Sequence, residues 1–237
     1  MGAPSLEILD DPQGAIVLMS GGLDSCISAT WAVKVFPKVA AIHASYGQRT
    51  QEKERESFLK ITQALGITQT LEIDLSQLAK IGGSSLTDSS IEVSEADLES
   101  TEIPSSYVPF RNAHFLCGGV SWAEVLGYDH LVIGAVEEDG SGYPDCRREF
   151  YDSFEKTIQV GTKPETRLKI VTPLIRMSKA EIVEFGTKIH APIESSWSCY
   201  QAESLACGLC DSCALRLRGF DRAGRKDPIS YKTRPKY

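Results

Sequence analysis

The 237-residue chain has no run of about 18 or more apolar residues, so no segment is expected to cross a membrane as a helix. Its opening, MGAPSLEILDDPQG, is acidic and has no apolar core, which argues against a secretory signal. Gly2 follows Met1 as in N-myristoylated chains, but Leu6 stands where that motif requires Ser or Thr. Basic residues are in deficit. Lys and Arg total 25 against 32 Asp and Glu, a net charge of −7, and a broad phosphate-neutralising face is thereby excluded. Small molecules are the expected partners, with neither nucleic acid nor membrane. Both common nucleotide loops are missing: no G-x-x-x-x-G-K-[ST] occurs, and no G-x-G-x-x-G follows the first apolar run. There is no internal repeat and no low-complexity tract. The seven cysteines are odd in number, and Cys26, Cys117 and Cys146 are scattered, which speaks against a disulfide framework and for a reducing, cytoplasmic setting.

What is present alternates. Residues 15–19 (AIVLM) form a continuous apolar run suited to a strand buried on both faces. After Ser20-Gly21-Gly22 a helical pattern covers 24–36, with Ile27, Thr30, Trp31 and Val35 on one side, and Pro37 ends it. A strand at 39–44, a charged amphipathic helix at 51–65 stopped by Gly66, and a strand at 67–73 follow. This order predicts an α/β fold, a doubly wound, mostly parallel sheet with right-handed crossovers, in one domain over 1–237. Residues 81–110 carry six acidic residues and no Lys or Arg, either a solvated insertion or a lid over a site. A helix at 111–126 and a strand at 130–136 resume the pattern. Residues 150–159, 170–171 and 179–189 continue it, and 227–237 read as a loosely held tail.

Two constellations carry chemistry. In LMSGGLDSC (18–26) a strand ends, two glycines let the backbone approach a ligand, and a helix begins with free amides, an anion cradle aided by the helix dipole. Ser20 and Ser25 add hydroxyls, while Asp24 either caps the helix or recruits Mg²⁺. Near the other end, Cys199, Cys207, Cys210 and Cys213 stand as C-x7-C-x2-C-x2-C. Four thiolates suit a closed tetrahedral Zn²⁺ site, and Gly208 allows a tight knuckle. An iron–sulfur cluster is the competitor, but Ala214-Leu215-Arg216 follows Cys213 in place of the ferredoxin ending.

SGGLDS resembles the pyrophosphate loop, S-G-G-x-D-S, of the ATP pyrophosphatase superfamily at every position. The stretch SWSCYQAESLACGLCDSCALRLRGF (196–220) resembles the zinc-binding end of the 7-cyano-7-deazaguanine synthases within it. YGQR (46–49), IPSSYVPFRN (103–112), SGYPDCR (141–147) and TPLIRMSKAEI (172–182) agree, in family order, so the resemblance spans residues 15 to about 230. Thr50 stands where that family usually has His, and Phe110 where a small residue is common, a change that bears on a pocket wall. The resemblance implies an adenine nucleotide alpha hydrolase-like sheet with a C-terminal zinc knuckle and a homodimer. It also implies a ligase that uses ATP, Mg²⁺ and ammonia to turn 7-carboxy-7-deazaguanine into the nitrile, a queuosine precursor, through an adenylated carboxylate and an amide. On it, Met19, Ser20, Gly21, Gly22, Leu23, Asp24, Ser25 and Cys26 hold the nucleotide. Asp24, Lys179 and Arg111 serve the chemistry, and Gln48, Arg49, Arg111, Asn112, Asp145 and Arg147 meet the substrate. Asp145 is the carboxylate expected to accept from the guanine-like base. A related ligase acting on another carboxyl substrate is the alternative. A nucleic-acid-binding zinc module, suggested by Arg216, Arg218, Arg222, Arg225 and Lys226, is a weaker one given the acidic remainder.

Overall fold

A computed structural model of the chain describes residues 4–5, 11–100, 102–137 and 142–237. Met1, Gly2 and Leu6, read for myristoylation, and Ser141, which opens SGYPDCR, lie outside the described residues. Five strands, β1 (Ala15–Leu18), β2 (Val39–Ser45), β3 (Gln69–Asp74), β4 (His130–Ile133) and β5 (Lys169–Val171), form one sheet in the order β3-β2-β1-β4-β5. Every pairing is parallel, with Val17 of β1 beside Ala41 and Val132. Helices α1 (Leu23–Val35), α2 (Gln51–Ala64), α3 (Gln77–Ile81), α4 (Arg111–Leu126), α5 (Arg148–Gly161), α6 (Lys179–Lys188) and α7 (Asp211–Arg222) flank it.

Because β1 is central, it must be apolar on both faces, and it is buried throughout. Ala15, Val17 and Met19 face one core with Cys26, Ile27, Phe58 and Val183. Ile16 and Leu18 face the other with Leu116, Tyr151 and Ile158. The helix α1 departs from the one-sided reading. It is buried nearly all round, Cys26, Ile27, Ser28, Ala29 and Ala32 included, because α6 covers the side turned away from the sheet. From β1 the chain winds outward to β2 and β3, then crosses back to β4 on the other side of β1. The crevice opened by that reversal, at the carboxyl ends of the strands, is where open α/β sheets take ligands.

Several expectations are corrected. The strand read to residue 136 ends at Ile133, and α3 and α7 were not anticipated. The acidic segment is packed onto its surroundings. Arg49 donates to the carbonyls of Ser85 (2.7 Å), Asp88 (3.0 Å) and Ile91 (2.8 Å), and the Ala96 amide donates to Leu209 at 2.8 Å. Leu86 and Val108 close a small core with Tyr46 and Leu78. The last residues are also anchored. Asp227 is buried against the guanidinium of Arg216 (2.7 and 3.0 Å), Tyr231 donates its hydroxyl to Asp227, and Tyr237 donates to Gly208. Arg216 is only 1% exposed, so the basic cluster loses one of its members to the core.

Candidate active site

The loop between β1 and α1 owes its shape to close approaches. Gly21 has φ +84°, and a Cβ there would lie 2.4 Å from the carbonyl oxygen of Glu54. Gly134, just past β4, would press a Cβ to 2.8 Å from the backbone of Asp24. Only glycine meets both demands. Gly22 is the N-cap of α1 and no side chain caps the helix, which removes the capping alternative for Asp24. Its carboxylate instead meets Nζ of Lys179 at 3.1 and 2.9 Å. Lys179 is the first residue of α6, set there by a capping box in which Ser178 and Glu181 exchange bonds. Among the described residues no acceptor meets the amides of Leu23, Asp24 or Ser25. Those unpaired donors, two hydroxyls that share a 3.3 Å bond (Ser20 and Ser25), and the Lys179 ammonium make the loop an anion site.

Ser20, Gly22, Leu23, Asp24 and Ser25 all line one cavity at the carboxyl end of the sheet. Met19, Gly21 and Cys26 do not: they lie behind the loop, and burial pushes the Cys26 thiol up to about 12. The cavity extends to α4, where Arg111 and Asn112 join the wall. Phe110 precedes them in the left-handed conformation, φ 58°, unusual for an aromatic residue. Its ring is 55% exposed and edge-on to Phe150, and it does not line this cavity.

The guanidinium of Arg111 lies over the rings of Tyr46 (5.4 Å) and Phe115 (5.6 Å) and donates to the Tyr46 hydroxyl at 3.1 Å. Its Nε is buried without a partner, and no carboxylate pairs with it among the described residues. Cation–π contacts of this kind offset part of its desolvation. They leave several donors for an anion. Tyr46, wholly enclosed here, has its phenol pushed up to about 12 by burial, against the pull of Arg111.

The other expected substrate contacts sit elsewhere. Asp145 is buried and turned into α4, accepting the Asn112 amide at 2.9 Å, while its own carbonyl takes bonds from Asn112 and Tyr151. It orders the start of α4 and is not part of the cavity wall. Arg147 and Arg49 are exposed outside the cavity, the second spent on the acidic segment. Gln48 is buried behind the wall, where it donates to Glu54 at 3.0 Å. Cys146 does reach the cavity, but burial and the neighbouring Asp145 push its thiol up to about 11, which suits packing and not nucleophilic attack.

The sequence reading missed Glu54, which lines the cavity. Its side chain is half-buried, held by Gln48 and by the Thr50 hydroxyl at 2.8 Å. Burial raises its carboxyl above the usual range and those two bonds pull it back. Within the charged helix α2 nothing in the pattern separates Glu54 from Glu52 and Glu56. Tyr143 and Tyr200 were missed as well, and Trp197 with them.

The four C-terminal cysteines come together. Their sulfurs all lie within 4.8 Å of one another, and Cys207 and Cys213 are 3.8 Å apart. Backbone amides of Gln201 and Cys207 point at Cys199 Sγ, and those of Leu209 and Cys210 at Cys207 Sγ. Amides aimed at sulfur favour thiolates, and a tetrahedral ion with metal–sulfur bonds of about 2.3 Å sets sulfurs roughly 3.8 Å apart. The cluster therefore fits a metal. It is not remote from the loop: the Trp197 amide donates to Gly21 at 2.9 Å, two residues before Cys199. Trp197, Ser198, Tyr200 and Arg216 help to wall the cavity.

The family model described as Queuosine biosynthesis protein QueC matches residues 14–224. The 7-cyano-7-deazaguanine synthase of Chlorobium chlorochromatii (strain CaD3) is 57% identical over 94% of this chain and 98% of its own. That of Chlorobaculum tepidum is 56% identical over the same shares. Among solved structures, NMN synthetase from Francisella tularensis overlays with a TM-score of 0.46 and 18% identity, covering 76% of this chain and 63% of that one.

Proposed function

The chain belongs to the QueC family, and on that premise we propose that it converts 7-carboxy-7-deazaguanine and ammonia, with ATP, into 7-cyano-7-deazaguanine. A carboxylate is a poor electrophile, and adenylation turns one of its oxygens into a leaving group. In the first half-reaction a substrate carboxylate oxygen attacks the α-phosphorus of ATP and pyrophosphate leaves. Ammonia adds at the acyl carbon, a proton is lost, and AMP departs to leave the amide. In the second, the amide oxygen attacks a second ATP and pyrophosphate leaves again. The nitrogen then loses both of its protons, the second as AMP is expelled, and the nitrile forms. Positioning and charge neutralisation serve such steps, with no covalent nucleophile required.

The observation that carries the reading is one cavity holding both the unpaired amides of the β1–α1 loop and the guanidinium of Arg111, which has no carboxylate partner among the described residues and a buried Nε without an acceptor. In this account Ser20, Gly22, Leu23, Asp24 and Ser25 bind the phosphates, and Lys179 neutralises charge on the departing pyrophosphate while it orients Asp24. Arg111 holds the substrate carboxylate against the α-phosphorus, with Asn112 beside it. Mg²⁺, when bound, screens the phosphates, and Asp24 with the Ser20 and Ser25 hydroxyls is the oxygen donor set suited to it. Zn²⁺ suits the closed set Cys199, Cys207, Cys210 and Cys213, where it serves as a cross-link. A homodimer, a cytoplasmic location and a single domain over 1–237 belong to the same reading.

Incubating the metal-loaded protein with 7-carboxy-7-deazaguanine, ammonium, ATP and Mg²⁺, followed by mass analysis, tests it. The expected products are the nitrile and two AMP per nitrile. ADP in place of AMP, or no nitrile, would sink the proposal.

A further inference from the structure

A 7-deazaguanine carries, besides its carboxylate, a ring edge with an N1–H and a 2-amino group, hydrogen-bond donors that only an acceptor can read. Among the described residues the cavity wall contains two carboxylates, Asp24 and Glu54. Both oxygens of Asp24 are engaged by Lys179 at the phosphate loop. Asp145 is buried in the turn before α5, committed to the amide of Asn112. Glu54 remains.

Its setting is built for a fixed orientation. Oε1 accepts from the Thr50 hydroxyl at 2.8 Å and Oε2 from Gln48 Nε2 at 3.0 Å. Gln48 is itself held, its Oε1 accepting the Tyr46 amide at 2.8 Å. One donor on each oxygen leaves lone pairs for a ligand. No Lys or Arg pairs with Glu54 among the described residues, although the cavity also contains Arg111. Tyr46 keeps the two opposite charges apart: its backbone anchors the holder of Glu54 and its hydroxyl anchors Arg111. A carboxylate and a guanidinium that share a cavity without pairing fit a ligand with N–H donors at one end and an acid at the other.

We propose that Glu54 determines base specificity, accepting the N1–H and 2-amino hydrogens of the deazaguanine ring while Arg111 holds its carboxylate. The proposal deepens the function given above and rests on it. A carboxylate near a helix start has a purely structural alternative, stabilisation of α2 by its dipole, and that role would leave substrate discrimination untouched.

The test compares wild type with Glu54→Gln, both checked for bound metal and thermal melting. It measures KM for 7-carboxy-7-deazaguanine, ATP and ammonium separately, and turnover of the des-amino analogue 7-carboxy-7-deazahypoxanthine. Wild type should prefer the guanine-type acid by roughly 100-fold or more in kcat/KM, as sites built to bond a polar group do. In Glu54→Gln the KM for that acid should rise about 10-fold or more. The KM values for ATP and ammonium should stay put, and the preference should collapse towards unity. An unchanged KM and preference would overturn the proposal, as would a rise confined to ATP or to ammonium. Should the variant fail to fold, wild type still tests the proposal: equal use of the two acids overturns it. A wild type that uses neither acid refutes the function itself, a separate outcome.

Discussion

Among the described residues the Arg111 side chain makes one hydrogen bond, to the Tyr46 hydroxyl, with two aromatic faces beneath it. Contacts of that kind are worth about 0.5–2 kcal/mol each and cannot replace a counter-ion for a cation taken out of water. The side chain thus carries an unmet demand for an anion, which in the proposed reaction is the substrate carboxylate. Arg111→Met is expected to lower kcat/KM for the carboxylate substrate by roughly 10- to 150-fold, the weight of one charge-assisted hydrogen bond of about 1.5–3 kcal/mol. Arg111→Lys should recover little of it, because a point charge does not reproduce a planar fork. Steady-state kinetics at saturating ATP check both, and wild-type behaviour in either variant contradicts the role. At this scale the sequence was informative where chemistry is contiguous. SGGLDS could be read because a strand, a turn and a helix start follow one another. Arg111 and Asn112 stood out because they open a helix behind a turn. Asp145, Arg147 and Arg49 lie beside the right turns but do not line the cavity, since side-chain placement beyond a turn depends on packing from distant elements. Glu54 was hidden for the opposite reason, in a helix whose charges all look solvated.

Among the elements, the strands and α1, α2, α4 and α6 were legible from apolar periodicity and their glycine and proline stops. The helix α7 was not, because its first turns carry Cys213 and a charged sequence, and its apolar face is built around a buried arginine. That arginine also explains the misread tail. Arg216 pairs bidentately with Asp227 and reaches Ser196 and Ser198 with its other nitrogen, tying α7, the chain end and the segment around Trp197 together. With side chains 2% and 0% exposed, the pair is fully enclosed. Removing one partner leaves a buried uncompensated charge, which costs about 3–5 kcal/mol. Asp227→Asn should therefore lower Tm by on the order of 10 °C, at about 2–4 °C per kcal/mol for a chain of this size. Differential scanning calorimetry on the metal-loaded protein measures it. A shift below about 2 °C would mean that the tail is as loosely held as its composition suggests.

For the molecule as a whole, the reversal of strand order at β1 opens a crevice, and opposite ends of the chain supply its walls. The loop after β1 brings unpaired amides, α2 and α4 bring Glu54 and Arg111, and the cysteine segment closes the far side while bonding to the loop through Trp197 and Gly21. Motif order foretold the parallel sheet, and the four cysteines it singled out do come together. It did not reveal which residues around them wall the cavity, Trp197, Ser198, Tyr200 and Arg216, because those contacts join residues far apart in sequence. The central claim is that both oxygens of one carboxylate leave on AMP from this single site. It is tested by supplying 7-carboxy-7-deazaguanine labelled with ¹⁸O in both carboxylate oxygens and weighing the products. The account predicts a nitrile free of label and one ¹⁸O in each of two AMP molecules. Label in water, in inorganic phosphate or in pyrophosphate, with AMP unlabelled, would contradict it.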